Sequence, residues 1–173
     1  MARKNYRRRY YRRKGRWSAN IKNLSDQETV TQGVFGNSVD LCLNPIQNDI
    51  TVSQQYTVKN IELSVFLEVP NSTTNYERLI EGVEHYIMYV PQGMNLTTDF
   101  NLEHPEYIMA YNYQGNPSSD EGQLGYKLKI KSRMARRLQT GDRIIYFYKA
   151  QNSSQNSITI NVRGLVRWWT KAN

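Results

Sequence analysis

The segment YTVKNIELSVFLEV, residues 56–69, decides the fold class of this chain. Apolar side chains occupy every second position from Ile61 to Val69, and the positions between them are polar, with Phe66 as the exception. Successive side chains of a strand point to opposite faces, so this spacing predicts a β-strand with one buried and one exposed face. The predicted core residues are Ile61, Leu63, Val65, Leu67 and Val69, and the predicted exposed residues are Asn60, Glu62, Ser64 and Glu68.

Seven other short segments are rich in β-branched and aromatic residues, and turn-forming residues separate them. They are residues 28–35, 38–43, 83–90, 106–113, 124–134, 143–150 and 157–169. In the second of them, alternation places Val39, Leu41 and Leu43 in the core. We expect a polar linker over residues 21–32 that runs into the first strand. Between later strands we expect a short helical turn over residues 76–81, and residues 95–103 are left unassigned. About eight strands without a long helix predict an all-β protein, a two-sheet sandwich or jelly roll.

Residues 1–16, MARKNYRRRYYRRKGR, contain nine basic residues and no acidic residue. Arginine forks match phosphate oxygens, and tyrosine rings can stack on unpaired bases. We therefore assign residues 1–20 as an arginine-rich nucleic-acid-binding arm and residues 21–173 as the folded domain. The arm residues predicted to bind are Arg3, Lys4, Tyr6, Arg7, Arg8, Arg9, Tyr10, Tyr11, Arg12, Arg13, Lys14 and Arg16. A solvated tail without a partner, or a nuclear address read by an import receptor, are the other interpretations.

The net charge of +8 is unevenly distributed along the chain. The arm holds nine of the 23 basic residues, so the rest of the chain has 14 basic and 15 acidic side chains. A near-neutral body with a basic arm is not typical of a protein that binds nucleic acid over its whole surface.

A second basic pattern lies inside the predicted sheet. Lys127, Lys129, Lys131 and Arg133 alternate with apolar residues, so a strand would place all four cations on one face. We predict that these four residues bind nucleic acid and extend the surface of the arm, because an anion would relieve their mutual repulsion. The last strand adds Arg163 and Arg167. An ordinary solvated face is one alternative, and a subunit contact with acids such as Glu62 and Glu68 is another.

The sequence gives no sign of an enzyme. Its two histidines and single cysteine, His85, His104 and Cys42, do not have metal-ligand spacing, and one cysteine cannot form an intrachain disulfide. Nucleotide-binding and hydrolase motifs are also missing. We therefore predict no catalytic residue, no cofactor and no metal. Neither a secretory signal nor an apolar stretch long enough to span a membrane is expected.

Three features together carry a resemblance to a known family. They are the arginine and tyrosine run RRRYYRR at residues 7–13, the small all-β body, and the segment RGLVRW at residues 163–168. The chain resembles the capsid proteins of small circular single-stranded DNA viruses that encode a replication initiator, the circovirus-like group. Residues 128–150 are similar to the second half of those jelly rolls, with Ser132-Arg133-Met134, Arg137-Leu138 and Thr140-Gly141-Asp142-Arg143 before an aromatic strand.

The resemblance implies an eight-stranded jelly roll that assembles with itself, about 60 copies forming a small T=1 icosahedral shell. It also implies an arm that points inward onto a single-stranded DNA genome, with localisation in the virion and, during assembly, in the host nucleus. Nuclear import receptors are then possible further partners. Coat proteins of satellite RNA viruses share this plan, so RNA is an alternative genome. A cellular RNA- or DNA-binding accessory protein is a second alternative, and a sugar-binding β-sandwich would account for the strands but not for the arm.

Overall fold

The computed structural model describes residues 16–44, 55–68, 79–114, 125–152, 155 and 157–172. These residues form nine strands: β1 (Ser18–Val30), β2 (Gly33–Leu43), β3 (Tyr56–Glu68), β4 (Leu79–Val90), β5 (Ile108–Gln114), β6 (Gly125–Ser132), β7 (Arg136–Leu138), β8 (Arg143–Asn152) and β9 (Ile158–Ala172). A single helical turn, α1 (Phe100–Glu103), and a 3-10 turn, Pro105–Tyr107, lie between β4 and β5. In the described part of the chain, no helix has the length and apolar character needed to cross a membrane.

The strands form two antiparallel sheets. Sheet A has the order β1-β9-β3-β6, with the short β7 also paired to β3, and sheet B has the order β2-β8-β4-β5. With β7 set aside, the first strand pairs with the last, the second with the last but one, and so on inward to the β4–β5 pair. This nested pairing is the eight-stranded jelly roll, so the predicted fold class is confirmed, with β7 as an additional strand.

The core lies between the two sheets and is built on β3. As the alternation predicted, Ile61, Leu63, Val65 and Leu67 are at most 1% exposed. Val69 lies outside the described residues. The buried partners of β3 on the neighbouring strands of sheet A are Leu128, Ile130, Val162 and Val166. Burying one face of these three strands leaves alternate residues on the outer face of sheet A.

A smaller core lies on the outer side of sheet B. Phe100 of α1 is completely buried there against Tyr86, Met88 and Phe147, with Met94 and Leu96 partly buried beside them. Residues 91–107 therefore cover part of sheet B, and the previously unassigned residues 95–103 include α1. The outer face of sheet A has no such cover among the described residues, because the outward side chains of residues 127–131 on β6 and 163–167 on β9 are exposed.

The N-terminal prediction is wrong in detail. Residues 21–32 are not a linker, and the first strand is not residues 28–35, because β1 runs from Ser18 to Val30 and the turn to β2 falls at residues 31–32. β1 is an edge strand in which only Leu24 and Val30 are buried, so its apolar pattern is weak. Residues 18–20, which were assigned to the arm, are part of this strand.

A β-bulge explains a second error. The register of β2 against β8 shifts between Asp40 and Cys42, so the alternation changes face there. Leu43, predicted in the core, is 47% exposed, whereas Cys42 is buried. Val39 is partly buried, and Leu41 is in the core as predicted.

Three shorter segments also differ from the sequence-based prediction. The part of residues 76–81 that the structure describes, residues 79–81, belongs to β4 and not to a helical turn, and residues 76–78 lie outside the described residues. Residues 106–107 belong to the 3-10 turn and not to β5. The strand β7 was missed because three residues are too short to show a periodicity.

The turn between β7 and β8 is held by a buried carboxylate. Asp142 is 4% exposed and accepts hydrogen bonds from the Tyr89 hydroxyl (2.7 Å) and from the backbone N–H groups of Gln92 (3.0 Å) and Gln139 (2.8 Å). Gly141, before it, has a φ of 84°, which favours glycine. The Thr-Gly-Asp motif at residues 140–142 thus connects this turn to the end of β4.

His85 is a buried histidine in the main core. It is 0% exposed, and its Nδ1 lies 2.7 Å from the Tyr146 hydroxyl. Burial lowers the pKa of His85 to about 3 from its ordinary value of 6.5, because a charged imidazole loses its hydration inside the sandwich. The side chain is therefore neutral in the folded protein at neutral pH.

We expect the stability of the protein to fall as the pH is lowered from 6.5 towards 3. In this window the unfolded chain protonates His85 and the folded chain does not, so each pH unit costs at most about 1.4 kcal/mol. His85→Gln should make the pH dependence shallower in urea unfolding at several pH values. Tyr146→Phe, which keeps the buried histidine, should retain the wild-type slope, and equal slopes for wild type and His85→Gln would contradict the assignment.

Candidate nucleic-acid interface

The strand predicted to carry a row of cations is β6. Leu128 and Ile130 are buried, and Lys127, Lys129 and Lys131 are exposed, so these three lysines share the outer face of sheet A. Arg133 is also exposed, but it follows the end of β6 and its direction is not fixed by the sheet. A role of these four residues in binding stays a prediction.

Strand register places other side chains beside the lysines. On the outer face of sheet A, each lysine of β6 is opposite a residue of β3, which in turn is opposite a residue of β9. Neighbouring strands are about 4.8 Å apart, so residues on β6 and β9 in one row are about 10 Å apart. The three rows, read from β6 through β3 to β9, are Lys131–Glu62–Arg167, Lys129–Ser64–Leu165 and Lys127–Phe66–Arg163.

The same face continues beyond these rows. Lys59 of β3 is opposite Trp169, and Thr57 lies between Arg137 of β7 and Lys171 of β9. We call this surface the basic face; it is formed by Lys59, Lys127, Lys129, Lys131, Arg137, Arg163, Arg167 and Lys171. The acidic residues that the structure describes on the same face of sheet A are Glu62 and Glu68. The basic face therefore has a strong excess of positive charge.

Acidic residues of the described part of the chain are concentrated on the opposite side. Asp40 and Glu84 lie on the outer side of sheet B, and Asp99, Glu103 and Glu106 lie on the segment that covers it. Two cations there are engaged by carboxylates: Lys149 lies 2.6 Å from Asp99, and Arg143 lies 3.5 Å from Asp40. The near-neutral total of the body thus combines a basic outer face on sheet A with an acidic one on sheet B.

Glu62 neutralises two members of the basic face. Its carboxylate oxygens lie 2.6 Å from the guanidinium of Arg167 and 3.3 Å from the ammonium of Lys131. The hydrogen bonds from Arg167 and Lys131 lower the pKa of the Glu62 carboxyl. Glu62, suggested above as a partner across a subunit boundary, is therefore paired within its own sheet. Lys127, Lys129 and Arg163 form no ion pair with any described residue.

Aromatic side chains lie among these cations. Phe66 is 40% exposed between Lys127 and Arg163. As expected for adjacent residues of a strand, the two final tryptophans face opposite sides. Trp168 packs against the main core, and Trp169 lies on the basic face with the Arg167 guanidinium 5.0 Å from its ring centre.

The arm joins the body at the basic face. Residues 1–15 lie outside the described residues, and with them Arg3, Lys4, Tyr6, Arg7, Arg8, Arg9, Tyr10, Tyr11, Arg12, Arg13 and Lys14. Arg16 is described and exposed. The ammonium of Lys59 lies 4.0 Å from the centre of the Trp17 ring, and β1 then begins at Ser18, opposite Thr170. The chain therefore enters sheet A next to Lys59.

Sequence reasoning missed several members of this surface. Strict alternation would place Lys59 on the buried face of β3. A bulge between Lys59 and Glu62, in which Asn60 has a φ of 50°, turns Lys59 outward. Arg137 lies on the short β7, and Lys171 lies beyond the expected end of the last strand. Phe66 gave a signal, since it broke the alternation of β3.

Comparisons with known proteins give only distant similarity. No protein-family model matches the chain, and no curated protein matches it at a significant level. Among solved structures, it is similar to a decameric BFDV capsid protein (9% identity, TM-score 0.38, 91% of this chain and 100% of that chain). It is also similar to a 60-mer BFDV capsid protein (10%, 0.40, 92% and 95%) and to a structure of infectious bursal disease virus Gx strain (8%, 0.40, 91% and 32%). The fold assignment rests on the strand order given above.

Replacing Glu62 should strengthen nucleic-acid binding. Glu62→Gln removes the partner of both Lys131 and Arg167, so we expect tighter binding of a single-stranded oligonucleotide. The slope of log affinity against log salt should steepen by about 0.7 for each cation that becomes free. Fluorescence anisotropy titrations at several salt concentrations measure both quantities.

The matched control is Glu68→Gln. It removes one negative charge from the same face, but Glu68 forms no ion pair with a described residue. Its effect on the salt slope should therefore be smaller. Identical slopes for the two variants would mean that the ion pairs of Glu62 do not matter for binding.

Proposed function

We propose that this protein is a viral coat protein that assembles into a small icosahedral shell and packages a single-stranded nucleic acid through its arm and its basic face. The observation that carries the proposal is the one-sided charge of the jelly roll. The arm enters sheet A beside Lys59, and the same side of the sheet has the basic face. The cations of the arm are therefore attached to the body on the cationic side of sheet A, where both sets can act on one polyanion.

The charge distribution suits a closed shell. A shell of identical subunits presents one side of each subunit to its interior and the other to the solvent. With the basic face inward, the cations surround the packaged phosphates, and the acidic side of sheet B faces outward. A body that is nearly neutral overall lets subunits approach one another without strong repulsion.

We propose single-stranded DNA as the genome because of the sequence resemblance described above, and RNA is the alternative. The arginine-rich run of the arm also suits recognition by nuclear import receptors, which would bring the protein to the host nucleus for assembly. The role is structural: packaging by counterion release needs no reacting group.

A cellular nucleic-acid-binding accessory protein is the second candidate. The arm and the basic face would serve such a protein equally well, so binding data alone do not separate the two. Assembly does: a coat protein forms particles of uniform diameter in negative-stain micrographs, whereas an accessory protein stays a monomer or a small oligomer.

Deletion of residues 1–16 should abolish packaging and leave the shell domain folded. Nine cations are lost, and β1, which begins at Ser18, is kept with Trp17. The purified deletion variant should show the absorbance ratio at 260 and 280 nm of protein alone, and its circular dichroism should match that of the full chain. An unchanged absorbance ratio would refute the role of the arm.

Charge reversal on β6 tests whether the basic face points into the shell. Lys129→Glu combined with Lys131→Glu should reduce the packaged nucleic acid and spare assembly, because these side chains contact the genome and not another subunit. Lys22→Glu reverses an exposed lysine outside the basic face, whose ammonium donates a hydrogen bond to the Asp40 carbonyl oxygen (2.6 Å), and should not reduce the packaged nucleic acid. If the double variant yields unassembled subunits alone, the face belongs to a subunit contact instead.

A further inference from the structure

We infer that Phe66 is a stacking platform for one unpaired base, and that Lys127 and Arg163 bind the phosphates on its two sides. The basic face would then bind unpaired nucleic acid in preference to a duplex. This inference rests on the proposed function, since it assumes that the basic face binds nucleic acid at all.

The position of Phe66 is unusual for a phenyl ring. It lies on β3, which β6 and β9 flank on both sides, so the ring projects from the middle of sheet A and not from an edge. The other outward positions in this part of β3 are Glu62, Ser64 and Glu68. An aromatic side chain that is 40% exposed among polar residues and cations has an open face that a ligand can cover.

The neighbours of Phe66 suit the two phosphates that flank a nucleotide. Lys127 is directly opposite Phe66 on one side, and Arg163 is directly opposite on the other. Their backbones are about 10 Å apart, and the flexible side chains can close in from both sides. Neither cation forms an ion pair with a described residue, so both are available for phosphate.

Each of the other described aromatic rings at this surface already has a cation against it. Trp169 has the Arg167 guanidinium 5.0 Å from its ring centre, and Trp17 has the Lys59 ammonium at 4.0 Å. Phe66 takes part in none of the ring contacts found among the described residues. Among the described residues of this surface, it is therefore the ring that a base can reach without displacing a cation.

Stacking on Phe66 discriminates between unpaired and paired nucleic acid. A base inside a duplex has both faces covered by its neighbours, so it cannot lie on a ring that projects from a sheet. Cations contact the phosphates of either form. A base on an aromatic ring strengthens binding by about tenfold or more, and this gain is restricted to unpaired strands.

A nucleobase is favoured over a second protein subunit as the occupant of this site. Covering Phe66 with a protein surface would also remove water from Lys127 and Arg163, which have no carboxylate partner among the described residues. Burying unpaired cations is costly. A nucleotide covers the ring and neutralises both cations together.

The test measures how tightly the chain, with its arm, binds a thymidine oligonucleotide and a duplex with the same number of phosphates. The titrations are done at raised salt concentration, because salt weakens the electrostatic contribution of the arm to binding. Phe66→Leu, which keeps an apolar side chain but loses the ring, should weaken binding of the single strand about tenfold and change duplex binding less than about twofold. Phe66→Trp should bind the single strand with the wild-type affinity. Binding of the oligonucleotide should quench the tryptophan fluorescence of this variant more than that of the wild type.

The control is Leu165→Ala, which shortens another exposed apolar side chain of the same face and should leave both affinities unchanged. If Phe66→Leu weakens binding of the single strand and of the duplex equally, or weakens neither, the stacking role is overturned. Loss of assembly with unchanged oligonucleotide affinity would assign Phe66 to a subunit contact. If Lys129→Glu with Lys131→Glu still weakens both ligands in these cases, the proposed function stands and this inference alone fails. If the wild-type protein binds neither ligand, both fail.

Discussion

The structure depends on burying one face of β3 against sheet B. The row from Ile61 to Leu67 is closed off from water, so the residues between must face outward, and the paired strands β6 and β9 obey the same rule. Gly164 lets β9 approach β3 closely: a Cβ atom at this position would lie 2.6 Å from the Ser64 carbonyl oxygen. That close approach favours the register that brings Arg163 opposite Phe66.

The sequence predicted which face of a strand is buried, but it did not predict which strands lie next to one another in a sheet. Alternation alone identified the core side of β3 and the exposed lysines of β6. It failed where a bulge changed the parity, at Lys59 and at Leu43, and on the edge strand β1, which buries too few residues to show a pattern. The row Lys127–Phe66–Arg163 joins three strands that are far apart in sequence, so strand pairing was needed to see it.

Net charge was a poor guide to the surface of the folded body. The near-neutral total of the body indicated only that it does not bind nucleic acid over its whole surface, because the sum conceals a separation of charges between the two outer faces. A two-sheet sandwich permits this separation because folding constrains the inner residues of each sheet and leaves the outer ones free. Glu62 moderates the basic face, since its two ion pairs hold Lys131 and Arg167 in place and reduce their repulsion.

The junction at Trp17 couples the arm to the orientation of the subunit. Because the Trp17 ring contacts Lys59, and the bulge at Asn60 turns Lys59 outward, the chain reaches β1 from the side of the basic face. In the proposed shell, any arrangement that turns the basic face towards the genome therefore places Trp17, where the arm meets the body, on that side as well. One geometric choice, the side of sheet A that faces inward, then decides the location of the basic face and of the residues to which the arm is attached.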